Sequence, residues 1–227
     1  MWQELRAELH GDGLEVVTVA LDSAGPEAAR PWIEAARPEH PTLIDERHLL
    51  DELFGIVNVP SGVWIDEAGV IVRPPEPAFA AYPEWGEGLG EDASEYQRRT
   101  LALEQQVLVE HEKYVAAVRD WVRLGPASRY VLSPAEVLAR SRPRGRAESE
   151  AAAHFELGSH LQRLGHAVDA VAHFKDAHRL QPENWTYKCQ AWSFVSADLG
   201  PSAAYETDWA SEVERTGVDR YYPPLDM

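Results

Sequence analysis

Cysteine is almost absent from this sequence of 227 residues, since Cys189 is the only one. A single cysteine excludes a disulfide within the chain and any redox cycle that needs two cysteines in one chain. Long apolar runs are absent as well, because no stretch approaches the roughly 20 apolar residues that a transmembrane helix needs. We therefore expect no membrane partner.

Positive charge is scarce. The 21 lysine and arginine residues face 38 acidic ones, which gives a net charge of −17, and only 7 of the basic residues lie within 1–100. Nucleic-acid binding needs a basic surface that neutralises phosphates, so the sequence predicts no nucleic-acid partner. We interpret the acidity as a solvated surface that keeps the protein soluble.

The start of the chain does not have the pattern of an export signal. Residues 1–6 are acidic and amphipathic, whereas a secretory signal is basic and then continuously apolar. We therefore expect a cytoplasmic protein.

What is present is an α/β pattern followed by a helical one, and the length suits two domains. Residues 1–92 alternate β-branched runs with helical periodicity, and residues 93–227 are helical in pattern. A connector rich in proline and glycine at 74–92 joins them, and we expect it to form no regular element.

The first domain has five predicted elements. In chain order they are a strand at 14–22, a helix at 23–37, a short strand at 42–45, a helix at 48–54 and a hairpin at 57–73. The first strand is nearly continuous in β-branched and apolar residues, which is typical of a strand buried on both faces. Trp32 and Trp64 are interpreted as core residues of this domain.

The second domain begins with a helical pattern over 94–123, which predicts one long helix with Trp121 in the core. A short helix is predicted to start at Ser133, which is followed by Pro134 and is an N-cap type. Near the end of the chain, the motif Tyr221-Tyr222-Pro223-Pro224 is interpreted as a tether for the tail.

Residues 14–73 resemble the thiol-disulfide oxidoreductase (TlpA/ResA-like) and redoxin family. The resemblance depends on two motifs, Phe54-Gly55-Ile56-Val57-Asn58-Val59-Pro60-Ser61 and Val63-Trp64-Ile65-Asp66-Glu67-Ala68-Gly69-Val70-Ile71. It implies an α/β thioredoxin-like fold in which the proline of the first motif is cis and faces the active-site disulfide. It also implies that Val59, Pro60 and Ser61 bind the substrate, a protein thiol or a peptide.

The sequence departs from that family in one respect that decides its chemistry. Family members have a central strand that ends in a Trp-Cys-x-x-Cys-like motif at the start of the first long helix, where the thiol pKa is lowered. Here residues 1–10 resemble only a remnant of that helix, so the predicted fold is incomplete: it lacks the first central strand and the motif, and the recorded chain is expected to be inactive by itself.

Two explanations of this departure remain open. The favoured one is that the recorded start is wrong and the motif is encoded upstream, since some similar proteins carry selenocysteine, whose codon is normally read as stop. The other is a genuine degenerate domain, which would leave an exposed sheet edge that a homodimer can pair.

Residues 151–184 resemble a tetratricopeptide repeat. The residues that match its spacing are Leu157, Gly158, Leu161, Ala170, Phe174, Ala177 and Pro182. The match predicts a hairpin of two helices at about 147–184 within an all-α, TPR-like region. Since about three repeats are usually needed for independent stability, the hairpin is expected to pack on the helix at 94–123 or on the first domain. It serves as a structural cap or, alternatively, as a peptide groove.

The remaining candidates for chemistry are weak. No two histidines in this region form the i, i+4 pair of a helical zinc site, so no metal and no cofactor are expected. The histidines considered are His154, His160, His166, His173 and His178. Cys189 is expected to be a buried, inert thiol. The leading hypothesis is therefore a relative of the thioredoxin-superfamily oxidoreductases without its redox motif. The alternative is a non-enzymatic interaction module that uses the platform and the helical hairpin.

Overall fold

The computed structural model describes residues 2–83, 89–90, 92–141 and 144–227. The four strands there are β1 (Thr18–Leu21), β2 (Thr42–Asp45), β3 (Ser61–Ile65) and β4 (Ile71–Pro77). The first helices are α1 (Trp2–Leu9), α2 (Pro26–Ala36), α3 (Leu49–Phe54), α4 (Glu95–Glu104), α5 (His111–Leu124) and α6 (Pro134–Arg140). The later ones are α7 (Arg146–Arg163), α8 (Ala167–Leu180), α9 (Trp185–Ser193), α10 (Trp209–Thr216) and α11 (Val218–Tyr221). None of the helices in these parts of the chain has the length and apolar character needed to cross a membrane.

The strands form two separate sheets of two strands each. In one, β1 and β2 are parallel, with Thr18 opposite Thr42, and α2 connects them. In the other, β3 and β4 form an antiparallel hairpin. The five elements predicted for residues 14–73 are all present in the predicted order, although no strand links the two sheets within the described residues.

The prediction of a strand buried on both faces at 14–22 is wrong in length and in burial. The strand is limited to Thr18–Leu21, all four of its residues are only partly buried, and Val17 is exposed. A central strand needs a neighbour on each side, whereas β1 pairs with β2 alone among the described residues. With a neighbouring strand on one side only, the apolar side chains of this run are not fully covered.

The prediction that Trp32 is a core residue is also wrong, since 80% of its surface is exposed. Trp32 lies on α2, and Leu49 and Leu53 of α3 are exposed as well. Helical periodicity identifies a stripe of apolar residues but not whether another element packs on it. Trp64 is buried as predicted, and its ring stacks on that of Trp121 at 4.9 Å between centroids.

The connector predicted at 74–92 is partly regular, because β4 extends to Pro77. The pairing shifts where Gly62 faces Glu76 and Trp64 faces Arg73, so Pro74 and Pro75 lie in a bulge. Proline has no N–H to donate, and a bulge is a place where the ladder does not require one. Residues 84–88 and 91 of the connector lie outside the described residues.

The single helix predicted over 94–123 is two helices, α4 and α5, separated by a turn at 105–110. In this turn the N–H groups of Gln106 and Val107 donate to the carbonyls of Leu103 and Glu104. The turn directs Val107 into a buried cluster with Phe79 and Tyr222, which a straight helix would not do. Tertiary packing thus overrides a helical pattern that continues through the turn.

The helical hairpin predicted at 147–184 consists of α7 and α8. Gly158 lies against the ring of Phe174, and Ala170 and Ala177 are fully buried, as close packing of two helices requires. Leu157, in contrast, is exposed, although the repeat pattern had assigned it to the hairpin contact.

The hairpin is covered by later helices and by the first helix of the same region. Its core includes Trp192 of α9, Val213 of α10 and Leu103 of α4, and Tyr96 of α4 packs against it. The hairpin therefore shares a core with α4, which lies in the region predicted as one helix over 94–123. The fit to a repeat ends after one hairpin, since α9 leads into irregular chain before α10.

We expect Gly158→Ala to lower the free energy of unfolding by about 1–2 kcal/mol. A Cβ at this position would lie 2.8 Å from the Phe174 ring, which is buried in the core. The overpacking cost of about 1–3 kcal/mol exceeds the gain of up to about 1 kcal/mol in helix propensity. Urea unfolding measures the difference, and Gly11→Ala, where a Cβ has nothing within 4 Å, is the matched control. Equal stability of the two variants would contradict the close packing.

A buried polar network joins the part of the chain that contains the strands to α9, the helix after the hairpin. The His48 ring lies between Asp51, with 3.2 Å from Nδ1 to Oδ2, and Gln190, with 3.3 Å from Nε2 to Oε1. The hydroxyl of Thr186 donates to Asp51 at 2.7 Å, and the backbone N–H of Ser23 donates to Gln190 at 2.9 Å. These contacts connect α3 and the end of β1 to α9, so the two parts share one interior.

Candidate functional site

The loop at Val59, Pro60 and Ser61 connects α3 to β3, and its Val59–Pro60 peptide bond is cis, as the family resemblance implied. The Ser61 hydroxyl donates to the Asn58 carbonyl at 2.7 Å, and the Ala78 N–H donates to the Pro60 carbonyl at 3.1 Å. The loop is therefore held in place by its own side chains and by the end of β4.

The backbone next to the cis-proline already has partners inside the chain. The Val59 N–H donates to the Asn58 side chain at 2.9 Å, and the Tyr222 hydroxyl donates to the Val59 carbonyl. The Asn58 side chain in turn donates to the Tyr221 carbonyl at 2.9 Å. A bound segment that paired with this backbone would have to replace Tyr222.

A cavity of about 340 Å³ opens beside the cis-proline. Its wall includes the rings of Trp2, Phe79, Trp209, Tyr221 and Tyr222. The rest is formed by Val59, Pro60, Ala78, Ala80, Ala81, Pro83, Val107 and one charged residue, Glu104. We call this cavity the cis-proline pocket. Its size is at the lower end for small-molecule sites and suits one or two side chains of a larger ligand.

The end of the chain builds one side of the cis-proline pocket. The Trp209 indole N–H donates to the Tyr221 hydroxyl at 3.1 Å, and the rings of Tyr221 and Tyr222 meet edge to face at 4.8 Å. Tyr222 also packs on Phe79, with 5.3 Å between centroids. Burial raises the pKa of both tyrosines, so their hydroxyls stay protonated and keep these hydrogen bonds.

Glu104 is the charged group of the pocket and the last residue of α4. Its side chain is half-buried, and burial raises the pKa of the carboxyl above its ordinary value. Among the described residues, no side chain makes a hydrogen bond or an ion pair with this carboxyl. The site therefore presents an aromatic wall with one uncompensated negative charge.

Cys189 is a free thiol on α9, and it packs against the large core of the helical part. Burial raises the pKa of this thiol to about 12, so it is protonated at neutral pH and is a poor nucleophile. Cys189 was predicted to be a buried, inert thiol: the residue is only partly exposed rather than fully buried, and its raised pKa agrees with an inert thiol.

Of the five histidines singled out, the fold brings His154 and His173 together, with 2.9 Å between their Nδ1 atoms. Asp176 lies 3.9 Å from His154 but is paired with Arg179 at 3.0 Å. No group of three side chains able to hold a metal ion occurs within the residues that the structure describes.

Sequence reasoning found the cis-proline loop but missed the residues that form the pocket around it. Phe79, Trp209 and the pair Glu104 and Val107 come from three separate segments, and only folding places them together. The one available signal was the tyrosine pair near the end, which had been interpreted as a tether and does bind the tail to the loop.

No protein-family model, curated protein or solved structure matches this chain. The resemblance of residues 14–73 to the TlpA/ResA-like family therefore stays a prediction. Any function proposed for the chain rests on the geometry of the site together with that predicted resemblance.

Proposed function

We propose that this chain binds an extended segment of another protein at the cis-proline pocket. The observation that carries the proposal is the cavity of about 340 Å³ next to Pro60, in the loop to which the family resemblance assigns substrate contact. The aromatic wall supplies apolar contact area with few rotatable bonds, which favours peptide binding.

A thioredoxin-like oxidoreductase is the second candidate. Two observations favour it: the order of elements in residues 14–73, and the separation of the sheets, which leaves β1 and β3 each with one edge unpaired by a strand among the described residues. Cys189 does not supply the chemistry, because its pKa is about 12 and thiol exchange requires a thiolate. The reactive thiol or selenol would have to come from outside these 227 residues. Disulfide reduction that appears with a segment carrying such a group attached, and is absent without it, would favour this candidate.

We expect Ala81→Trp to weaken peptide binding at least tenfold. Ala81 lines the cis-proline pocket and is only partly buried, so an indole at this position fills the cavity without entering the core. The probe is a randomised decapeptide library, selected on the immobilised wild-type chain, and dissociation constants of individual peptides are then measured by fluorescence anisotropy.

The matched control is Val168→Trp, since Val168 is 86% exposed on α8 and lies outside the pocket. Peptides that lose affinity for Ala81→Trp alone support the proposal. Equal binding to both variants and the wild type would overturn it. A loss confined to Val168→Trp would also overturn it, and would move the binding surface to the helical hairpin.

A further inference from the structure

We infer that the cis-proline pocket takes a positively charged side chain, a lysine or arginine of the bound segment, with Glu104 as its counter-ion. This inference rests on the proposed function and adds the chemical class of the ligand. Glu104 and the surrounding aromatic rings are the observations that carry it.

The position of Glu104 is electrostatically unfavourable in the free protein. It is the last residue of α4, where the helix dipole already places partial negative charge, and the pocket shields it from part of the solvent. A carboxylate at a helix C-terminus without a basic partner costs stability, and such groups concentrate at functional sites. A cation in the pocket would compensate both the carboxylate and the helix end.

The aromatic rings of the pocket complement a cation in a second way. Ring faces carry partial negative charge, so ammonium and guanidinium groups bind over them. The rings of Trp209 and Tyr221 meet edge to face at 5.5 Å, and Phe79 and Tyr222 do so at 5.3 Å. Trp209, Tyr221 and Tyr222 line the same cavity as Glu104, and its volume of about 340 Å³ has room for an aliphatic stem that ends in a charge.

The chain itself contains the same combination with its cation in place. The Lys188 ammonium lies 4.7 Å from the centre of the Trp185 ring and donates to the Glu212 carboxylate at 2.9 Å. The wall of the cis-proline pocket also includes tryptophan and a glutamate, and none of the described residues that line it is a lysine or an arginine.

The charge of the whole chain favours the same ligand. Residues 1–100 carry 20 acidic and 7 basic side chains, and the net charge of the protein is −17. A field of this sign attracts basic segments and repels acidic ones, with an effect on the association rate that salt weakens.

The test compares Glu104→Gln with the wild type on two forms of one selected peptide, the original and a form in which its lysine or arginine is replaced by norleucine. We expect Glu104→Gln to bind the basic peptide about tenfold more weakly, because a charge-assisted hydrogen bond is lost. The norleucine peptide should bind both proteins equally. Glu112→Gln, an exposed change on α5 with the same effect on net charge, is the matched control.

The two variants distinguish peptide binding at the pocket from the preference for a positively charged side chain. If Ala81→Trp weakens binding but Glu104→Gln does not, peptide binding at the pocket stands and the cation inference is wrong. Selected peptides without any lysine or arginine would overturn it as well. If neither variant has an effect, both proposals fail.

The pH dependence gives an independent readout on the free protein. Because burial raises the pKa of Glu104, the folded state holds this proton more tightly than the unfolded state, and ionised Glu104 destabilises the fold above that pKa. Glu104→Gln should therefore unfold at a higher temperature than the wild type at pH 7, and the difference should vanish below about pH 4. A variant less stable than the wild type at pH 7 would mean that Glu104 has a structural partner, which overturns the inference.

Discussion

Replacement of Glu212 by leucine is expected to lower the free energy of unfolding by about 3–5 kcal/mol. Glu212 accepts a hydrogen bond from Lys188 at 2.9 Å, and only 3% of the lysine is exposed. Without the carboxylate, the buried ammonium keeps its contact with the Trp185 ring, which does not compensate for the loss of its hydration. Urea unfolding at pH 7 measures the change.

The double variant Lys188→Met/Glu212→Leu tests whether the loss of stability in Glu212→Leu comes from the buried, unpaired ammonium of Lys188. Apolar replacement of a whole buried pair is often neutral, so we expect the double variant to recover most of the loss. The exposed pair of Lys175 and Glu206, at 2.7 Å, is the control, and Glu206→Leu should cost less than about 1 kcal/mol. Similar losses for Glu206→Leu and Glu212→Leu would contradict the argument.

The pair also predicts a pH dependence. Burial opposes ionisation of Glu212, but hydrogen bonds from Arg215 and Lys188 outweigh it and lower the pKa of the carboxyl to about 2. The folded state thus binds fewer protons than the unfolded state, whose glutamate titrates near 4.5. The stability difference between wild type and Glu212→Leu should be full above pH 4.5 and fall as the pH falls toward 2.

Replacement of His48 by alanine is expected to cost about 3–5 kcal/mol. The His48 ring is buried against the Phe155 ring, with 4.8 Å between their centroids. Its loss leaves a cavity between α3 and α7. It also deprives the buried Asp51 and Gln190 of a hydrogen-bond partner. Each buried polar group left without a partner adds to the cost.

His48→Phe separates packing from hydrogen bonding, since it keeps a ring against Phe155. We expect an intermediate loss of about 1–3 kcal/mol, from the unmet hydrogen bonds alone. His160→Ala is the matched control, because His160 is exposed on α7, and its effect should stay within about 0.5 kcal/mol. If His48→Phe is as stable as the wild type, the polar network does not join the two parts.

The sequence was informative wherever local chemistry decides the conformation. Each element between 14 and 73 was found, because glycine, proline and apolar periodicity mark starts, stops and faces within a few residues. The burial of Trp32 and of the run at 14–22 was predicted wrongly for one reason, because an apolar face or strand is buried only if another segment covers it.

The break between α4 and α5 shows a different limit. The apolar spacing through 105–110 continues the helical pattern, and no proline or glycine marks an end. The chain turns there because Val107 packs beside Phe79 and Tyr222, and neither residue is a near neighbour of Val107 in the sequence. The same turn places Glu104 at the wall of the cis-proline pocket.

By itself, the sequence determined the scarcity of thiols, the acidic charge and the order of elements, since these depend on composition and on neighbours along the chain, whereas the cis-proline was implied by the family resemblance. Only the tertiary structure decided which apolar residues are covered and that Glu104, Trp209 and Tyr222 share one cavity with Pro60. The reason is physical: burial and pocket formation depend on contacts between segments that are distant in the chain, and no local pattern encodes those distances.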